Sequence, residues 1–155
     1  MINLKSILAV CVSVAAGLVY AAAFMPWSEW SGSSIQGGRN APGVDMPPSL
    51  TAHFWINGWN VTMDIVGVFL PGWAVVPLAL AAAALAWLAV SPWRPPRFLG
   101  PVLASVGFLQ ASLTAVLAAS PGMTVGIGAP LTVIAFLAIL ICSFAQAIKI
   151  GPRAD

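Results

Sequence analysis

His53 is the single histidine of the 155-residue chain. A lone imidazole can serve as an axial ligand to haem iron or to the magnesium of a chlorophyll-type pigment, and Phe54 and Trp55 beside it would flank such a macrocycle. No second ligand accompanies it, so the expectation is a hydrogen-bonded loop histidine. A pigment- or haem-associated subunit using His53 stays as a second alternative, and no cofactor is predicted. Cys11 and Cys142 are the whole cysteine inventory. With no CxxC, CxxCH or Cys/His cluster, zinc, iron–sulfur and covalent haem sites have no support, and both residues are expected to pack as small apolar thiols within helices. Serine hydrolysis would need a general base and a GxSxG turn, and the chain has no such turn. No reaction is specified, so the chain is not expected to be an enzyme.

The elements that would carry these residues are set by composition. Apolar residues make up 60 % of the chain and charged residues 6 %, where a soluble domain carries about a quarter charged. The expected fold is an all-α integral membrane protein, a single domain over 1–155 built as a four-helix transmembrane bundle. The spans are expected at about 6–25, 73–90, 98–119 and 125–148. Pro26, Pro71-Gly72, Ser91-Pro92 and Pro101 mark their ends, and Gly126-Ile127-Gly128-Ala129-Pro130 is expected to loosen or kink the first turn of the last. Lys5 with Ala21-Ala22-Ala23 has the look of a secretory signal, and Leu8-Ala9-Val10-Cys11 that of a lipoprotein box, but residues 6–25 are read as a retained first span.

None of the four spans contains an ionisable side chain, which argues against a proton pump or ion-coupled carrier, because a charge at the bilayer centre is costly and is kept only where it works. Five of the six basic residues, Lys5, Arg94, Arg97, Lys149 and Arg153, fall on one side of this layout; only Arg39 falls on the other. The expectation is therefore a bacterial inner-membrane protein with both termini cytoplasmic and the loop 26–71 periplasmic or exterior.

That loop is far longer than a usual helix connection. Its Ser31–Pro48 part is rich in Gly, Ser, Asn and Pro, whereas its later part has Phe54, Trp55, Ile56, Trp59, Val61, Met63 and Ile65 to bury. Asn57-Gly58 is a hairpin signal, so a short hairpin or interfacial helix is expected there. Asn60-Val61-Thr62 also fits the glycosylation acceptor pattern. Trp27, Trp30, Trp73, Trp87 and Trp93 are expected to form an aromatic belt at the bilayer surface, and Trp27, Trp30, Trp55 and Trp59 are the candidate contact residues of the loop, Trp55 and Trp59 most directly.

Small residues mark helix-packing faces. The first span carries Ala9, Ser13, Gly17 and Ala21 at intervals of four; the third carries Ala104, Gly107, Ala111 and Ala115, with Gln110 and Thr114 close by. Ser13, Gly17, Gly107 and Ala111 are taken as candidate interaction residues, with packing inside the bundle favoured over packing against another chain. Gln110 is expected to make an interhelical hydrogen bond.

Pro26-Trp27, Asn57-Gly58-Trp59 and Gly126-Ile127-Gly128, in a layout of four spans with a long first exterior loop, resemble a class of small bacterial four-helix membrane proteins. The layout is also similar to that of claudins, whose loop cysteine pair is missing here. The resemblance implies the architecture and supplies no catalytic residue.

The expected function is a non-catalytic accessory or structural subunit of a larger membrane protein complex. Its partners would be membrane lipids and other integral membrane subunits, with no nucleic acid and no soluble substrate. The alternative is a small homo-oligomeric pore or carrier lined by Ser105, Gln110, Ser112 and Thr114.

Overall fold

The fold is given by a computed structural model that describes residues 3–32, 52–60, 62–65, 68–92, 95–119 and 124–149. Four α-helices dominate: α1 (Leu4–Ala22), α2 (Val75–Leu88), α3 (Leu99–Ala118) and α4 (Gly128–Lys149). Asn3 starts α1 by accepting the Lys5 N–H on its side-chain oxygen at 3.2 Å. At the other end of α2, the Ser91 hydroxyl donates to the carbonyl of Leu88 at 2.8 Å, and Pro92 follows, which disfavours further helix.

The helices form a closed ring in which α1 packs on α2 and α4, and α3 packs on α2 and α4. Its interior is mostly small: Ala9, Val12, Ala16, Ala79, Ala82, Ala104, Ala111 and Ala135 are buried, with Phe136 and Ile139 as the large fillers. Large aliphatic side chains such as Leu80, Val106, Leu109, Ile134 and Ile141 point outward. That is the arrangement expected in lipid, where close backbone approach holds helices together and apolar bulk can face the solvent. Four hydroxyls inside the helices satisfy themselves on the preceding turn: Ser13 donates to Ala9, Ser105 to Pro101, Thr114 to Gln110 and Thr132 to Gly128, all at 2.8 to 2.9 Å.

Three helices are long and apolar enough to cross a membrane: Leu4–Ala22, Leu99–Ala118 and Gly128–Ile148. The chain is a mostly helical membrane protein. The second apolar helix is shorter, Gly72–Leu88 including the 3-10 turn Gly72–Ala74. At about 1.5 Å per α-helical residue and 2.0 Å per 3-10 residue it reaches roughly 27 Å, just short of a hydrocarbon core of about 30 Å.

The chain departs from the all-α expectation between its helices. Strand β1 (Pro26–Gly32) lies between β2 (Ala52–Asn57) and β5 (Thr124–Val125), antiparallel to both, while β3 (Thr62–Ile65) and β4 (Val68–Pro71) form a separate hairpin. The Asn57-Gly58 turn therefore closes no hairpin; it links two sheets, because β2 finds its partner in β1 and not in β3. Pairing of β1 with β5 ties the end of α1 to the connection between α3 and α4. It also explains why α4 begins at Gly128 and not at 125, since Thr124 and Val125 are spent in the sheet.

Candidate functional site: a tryptophan-centred cap and the helix faces

Trp27 is fully buried. Its indole N–H donates to the carbonyl oxygen of Ala22 at 2.8 Å, joining the Met25 N–H at 3.1 Å on one of the last carbonyls of α1. Glycines line the ring. A Cβ on Gly58 would stand 2.8 Å from Trp27 Cε2, and one on Gly128 would collide with Trp27 Cδ1. One on Gly126 would meet the carbonyl oxygen of Pro26, while the Gly126 N–H donates to the Trp27 carbonyl at 3.0 Å. Pro26-Trp27, Asn57-Gly58 and Gly126-x-Gly128, far apart in the sequence, thus meet around one indole. The glycines serve close approach to Trp27 and Pro26. Ser28 next to it is also buried, and its hydroxyl donates to the Ala118 carbonyl at 3.3 Å, binding β1 to the end of α3.

The burial of Trp27 overturns its expected place in an aromatic belt and removes it as a surface contact residue. The signal was in the glycines, but nothing in the sequence says which segments fold together. Trp73 and Trp87 do face outward, each 47 % exposed. Trp93 lies outside the described residues. Trp87 also works inside the bundle, since its indole N–H donates to Ser13 Oγ at 2.9 Å and so links α2 to α1.

Trp59 is half-buried and belongs to an aromatic group with two residues at the end of α1. Its ring centroid lies 6.4 Å from Tyr20, edge to face, and 5.6 Å from Phe24, while Tyr20 and Phe24 stand 5.3 Å apart. The Trp59 indole N–H is buried without an acceptor among the described residues, a deficit of about 1 to 3 kcal/mol for an ordinary buried donor. On the sheet, Trp30 is in register with Phe54, Trp55 with Glu29 and His53 with Ser31. The side chains of Trp30, His53 and Trp55 lie outside what is described.

The small-residue faces part company. On α3, Ala104, Gly107 and Ala111 are buried, and Gly107 receives the ring of Phe136 so closely that any Cβ there would overlap it. On α1, Ala9 is buried and Ser13 is bonded to Trp87, but Gly17 and Ala21 are exposed, and a Cβ on Gly17 would find nothing within 4 Å. Gln110 makes no interhelical hydrogen bond among the described residues; its Nε2 donates to the carbonyl of Pro71, the last residue of β4, at 3.1 Å.

Cys11 is exposed on α1 and Cys142 is partly buried on α4, which corrects the expectation of two enclosed thiols. The two residues lie near one another on the packed pair α1 and α4. Among the described residues no group of three or more His, Cys, Asp or Glu side chains could hold a metal ion. Compared with protein-family models, curated proteins and solved structures, the chain matches none.

Proposed function

We propose that the protein is a non-catalytic accessory or structural subunit of a larger membrane protein complex, docking through the outer face of α1 and the segment 26–71. The observation that supports this best is Gly17. A glycine inside a helix costs about 1 kcal/mol relative to alanine and is normally repaid by close packing, as Gly107 is by Phe136. Gly17 has no such repayment among the described residues. With Ala21 one turn on, it forms a shallow notch on a lipid-facing helix, the shape that admits another helix.

In this reading α2 is the fourth span, since the ring places it between α1 and α3 and its length nearly matches the hydrocarbon core. Lys5 and Arg97 then share the end of the bundle opposite the sheet, which we assign to the cytoplasm of a bacterial inner membrane, with Glu29 and the sheet on the far side. The pore alternative draws little from the side chains: Ser105 and Thr114 donate to their own helix and Gln110 to Pro71.

The test is native extraction in mild detergent with a tag on the C-terminus, followed by identification of what co-migrates. Other membrane proteins in fixed ratio support the accessory reading. A homo-oligomer or a lone 16.0 kDa species counts against it and moves the question to ion flux.

A further inference from the structure

At the end of the bundle opposite the sheet, a cleft of about 30 Å³ opens between α2, α3 and α4, walled by Ala82 and Ala86 and bordered by Arg97, Gly100, Ser143 and Gln146. Besides carbonyls at the ends of α2 and α4, its polar groups include donors without a partner among the described residues. α3 begins without a side-chain cap. Its Leu99 N–H bonds to Pro96 and its Val102 N–H to Phe98, Pro101 has no N–H, and the Gly100 N–H has no partner among the described residues.

Ser143 supplies the second observation. It is 4 % exposed, it lines the cleft, and its Oγ lies 3.9 Å from the position of a Cβ on Gly100. Ser13, Ser105, Thr114 and Thr132 all donate to the carbonyl one turn back, but the Ser143 hydroxyl makes no hydrogen bond among the described residues. The residue is buried, yet its oxygen is not fully enclosed, so the hydroxyl is open to the cleft. Arg97, exposed at the mouth, has no ion pair among the described residues, and Gln146 Nε2 uses one of its two N–H groups on the Lys5 carbonyl at 3.2 Å.

An uncapped helix start, a guanidinium and an unpaired hydroxyl that border one space suit an oxyanion. The size narrows the choice, since about 30 Å³ admits one or two water-sized atoms. Two phosphate oxygens fit, whereas a sugar or a nucleotide base does not. Phe98 and Leu99, next to Arg97, are 71 % and 41 % exposed, so the mouth borders apolar surface and the rest of the ligand must tolerate hydrocarbon. We propose that this cleft binds the phosphate of an anionic phospholipid, held by the Arg97 guanidinium, the Gly100 N–H and the Ser143 hydroxyl.

The test uses the full chain in bilayer discs of phosphatidylcholine and phosphatidylglycerol in equal parts, released into detergent, with retained lipid counted by native mass spectrometry. Wild type should keep phosphatidylglycerol in preference to phosphatidylcholine. Arg97→Gln should lower that retention about tenfold, the loss of one charge-assisted contact. Ser143→Ala should lower it several-fold while leaving the melting temperature in phosphatidylcholine alone unchanged, because the hydroxyl makes no hydrogen bond to the described residues. Lys5→Gln, a cation at the same end and outside the cleft, should change neither. Equal retention of phosphatidylglycerol by wild type, Arg97→Gln and Ser143→Ala would overturn the proposal. So would a loss in Lys5→Gln as large as in Arg97→Gln, which marks general surface charge. Displacement of the lipid by inorganic phosphate would also overturn it, in favour of a free-anion site.

Discussion

The indole N–H of Trp27 donates to the carbonyl oxygen of Ala22, five residues earlier, at 2.8 Å. The bond turns the end of α1 directly into β1, and because Gly58 and Gly128 lie against the same ring, it also fixes where the turn after β2 and the start of α4 must sit. One side chain therefore sets the joint between the bundle and the sheet.

Replacing that side chain should loosen the joint before the bundle. Trp27→Ala is expected to cost about 3 to 5 kcal/mol, the range for a large buried aromatic. Trp27→Phe should cost less, keeping most of the volume and losing only the indole N–H donor, while the Ala22 carbonyl still accepts from the Met25 N–H. Gly58→Ala should also destabilise, because its Cβ would press on the ring at 2.8 Å. Thermal unfolding in detergent checks the order wild type, then Trp27→Phe, then Trp27→Ala; a Trp27→Ala protein as stable as wild type would remove Trp27 from this role.

Gly107 and Gly17 should respond oppositely to added bulk. Gly107→Ala places a methyl on the ring of Phe136 and should destabilise the isolated chain by about 1 to 3 kcal/mol, with Phe136→Leu in the same chain recovering part of the loss. Gly17→Ala meets nothing and should leave the isolated chain unchanged or slightly firmer through helix propensity. Melting curves of the two purified variants test the contrast.

The hydrogen bond from Trp87 to Ser13, at 2.9 Å, should be measurable as a coupling between α1 and α2. Ser13→Ala and Trp87→Phe should each cost on the order of 0.6 kcal/mol, with the double variant costing less than their sum. Strict additivity in a double-mutant cycle would show that the pair does not interact.

Cys11 and Cys142 lie near one another on the packed pair α1 and α4 and should form an intramolecular disulfide when the purified protein is treated with diamide, which takes up the two hydrogens the thiols release. Intact mass should fall by the two hydrogens, with no crosslinked dimer. Cys142→Ser should abolish the change. Crosslinked dimers in place of the mass loss would place the thiols at an interface between chains.

Much of the helical layout was legible because apolar runs bounded by proline are local signals. The small-residue stripes were harder to read, and their spacing shows why. Positions 9, 13, 17 and 21 advance by four residues each time, so at 3.6 residues per turn the stripe drifts by about 40° per step and about 120° in all. It starts in the core at Ala9 and ends facing outward at Ala21. Positions 104, 107, 111 and 115 mix steps of three and four, so the drift nearly cancels and the face stays inward.

The cap was legible only in pieces. Gly58, Gly126 and Gly128 advertise close approach, but that they approach Trp27 depends on β1 pairing with both β2 and β5, a long-range fact that no local pattern encodes. The cleft at Ser143 was invisible for the same reason. A serine on an apolar helix usually bonds to its own backbone, and only the neighbouring start of α3 gives this one another use.

The most direct test of the accessory-subunit reading compares wild type with Gly17→Leu by native extraction in mild detergent, followed by mass determination of the tagged species. The reading predicts that wild type migrates in a larger assembly with other membrane proteins in fixed ratio, while Gly17→Leu is inserted and as stable as wild type but runs alone. An unchanged assembly in Gly17→Leu, or a lone wild-type chain, would contradict docking through the outer face of α1.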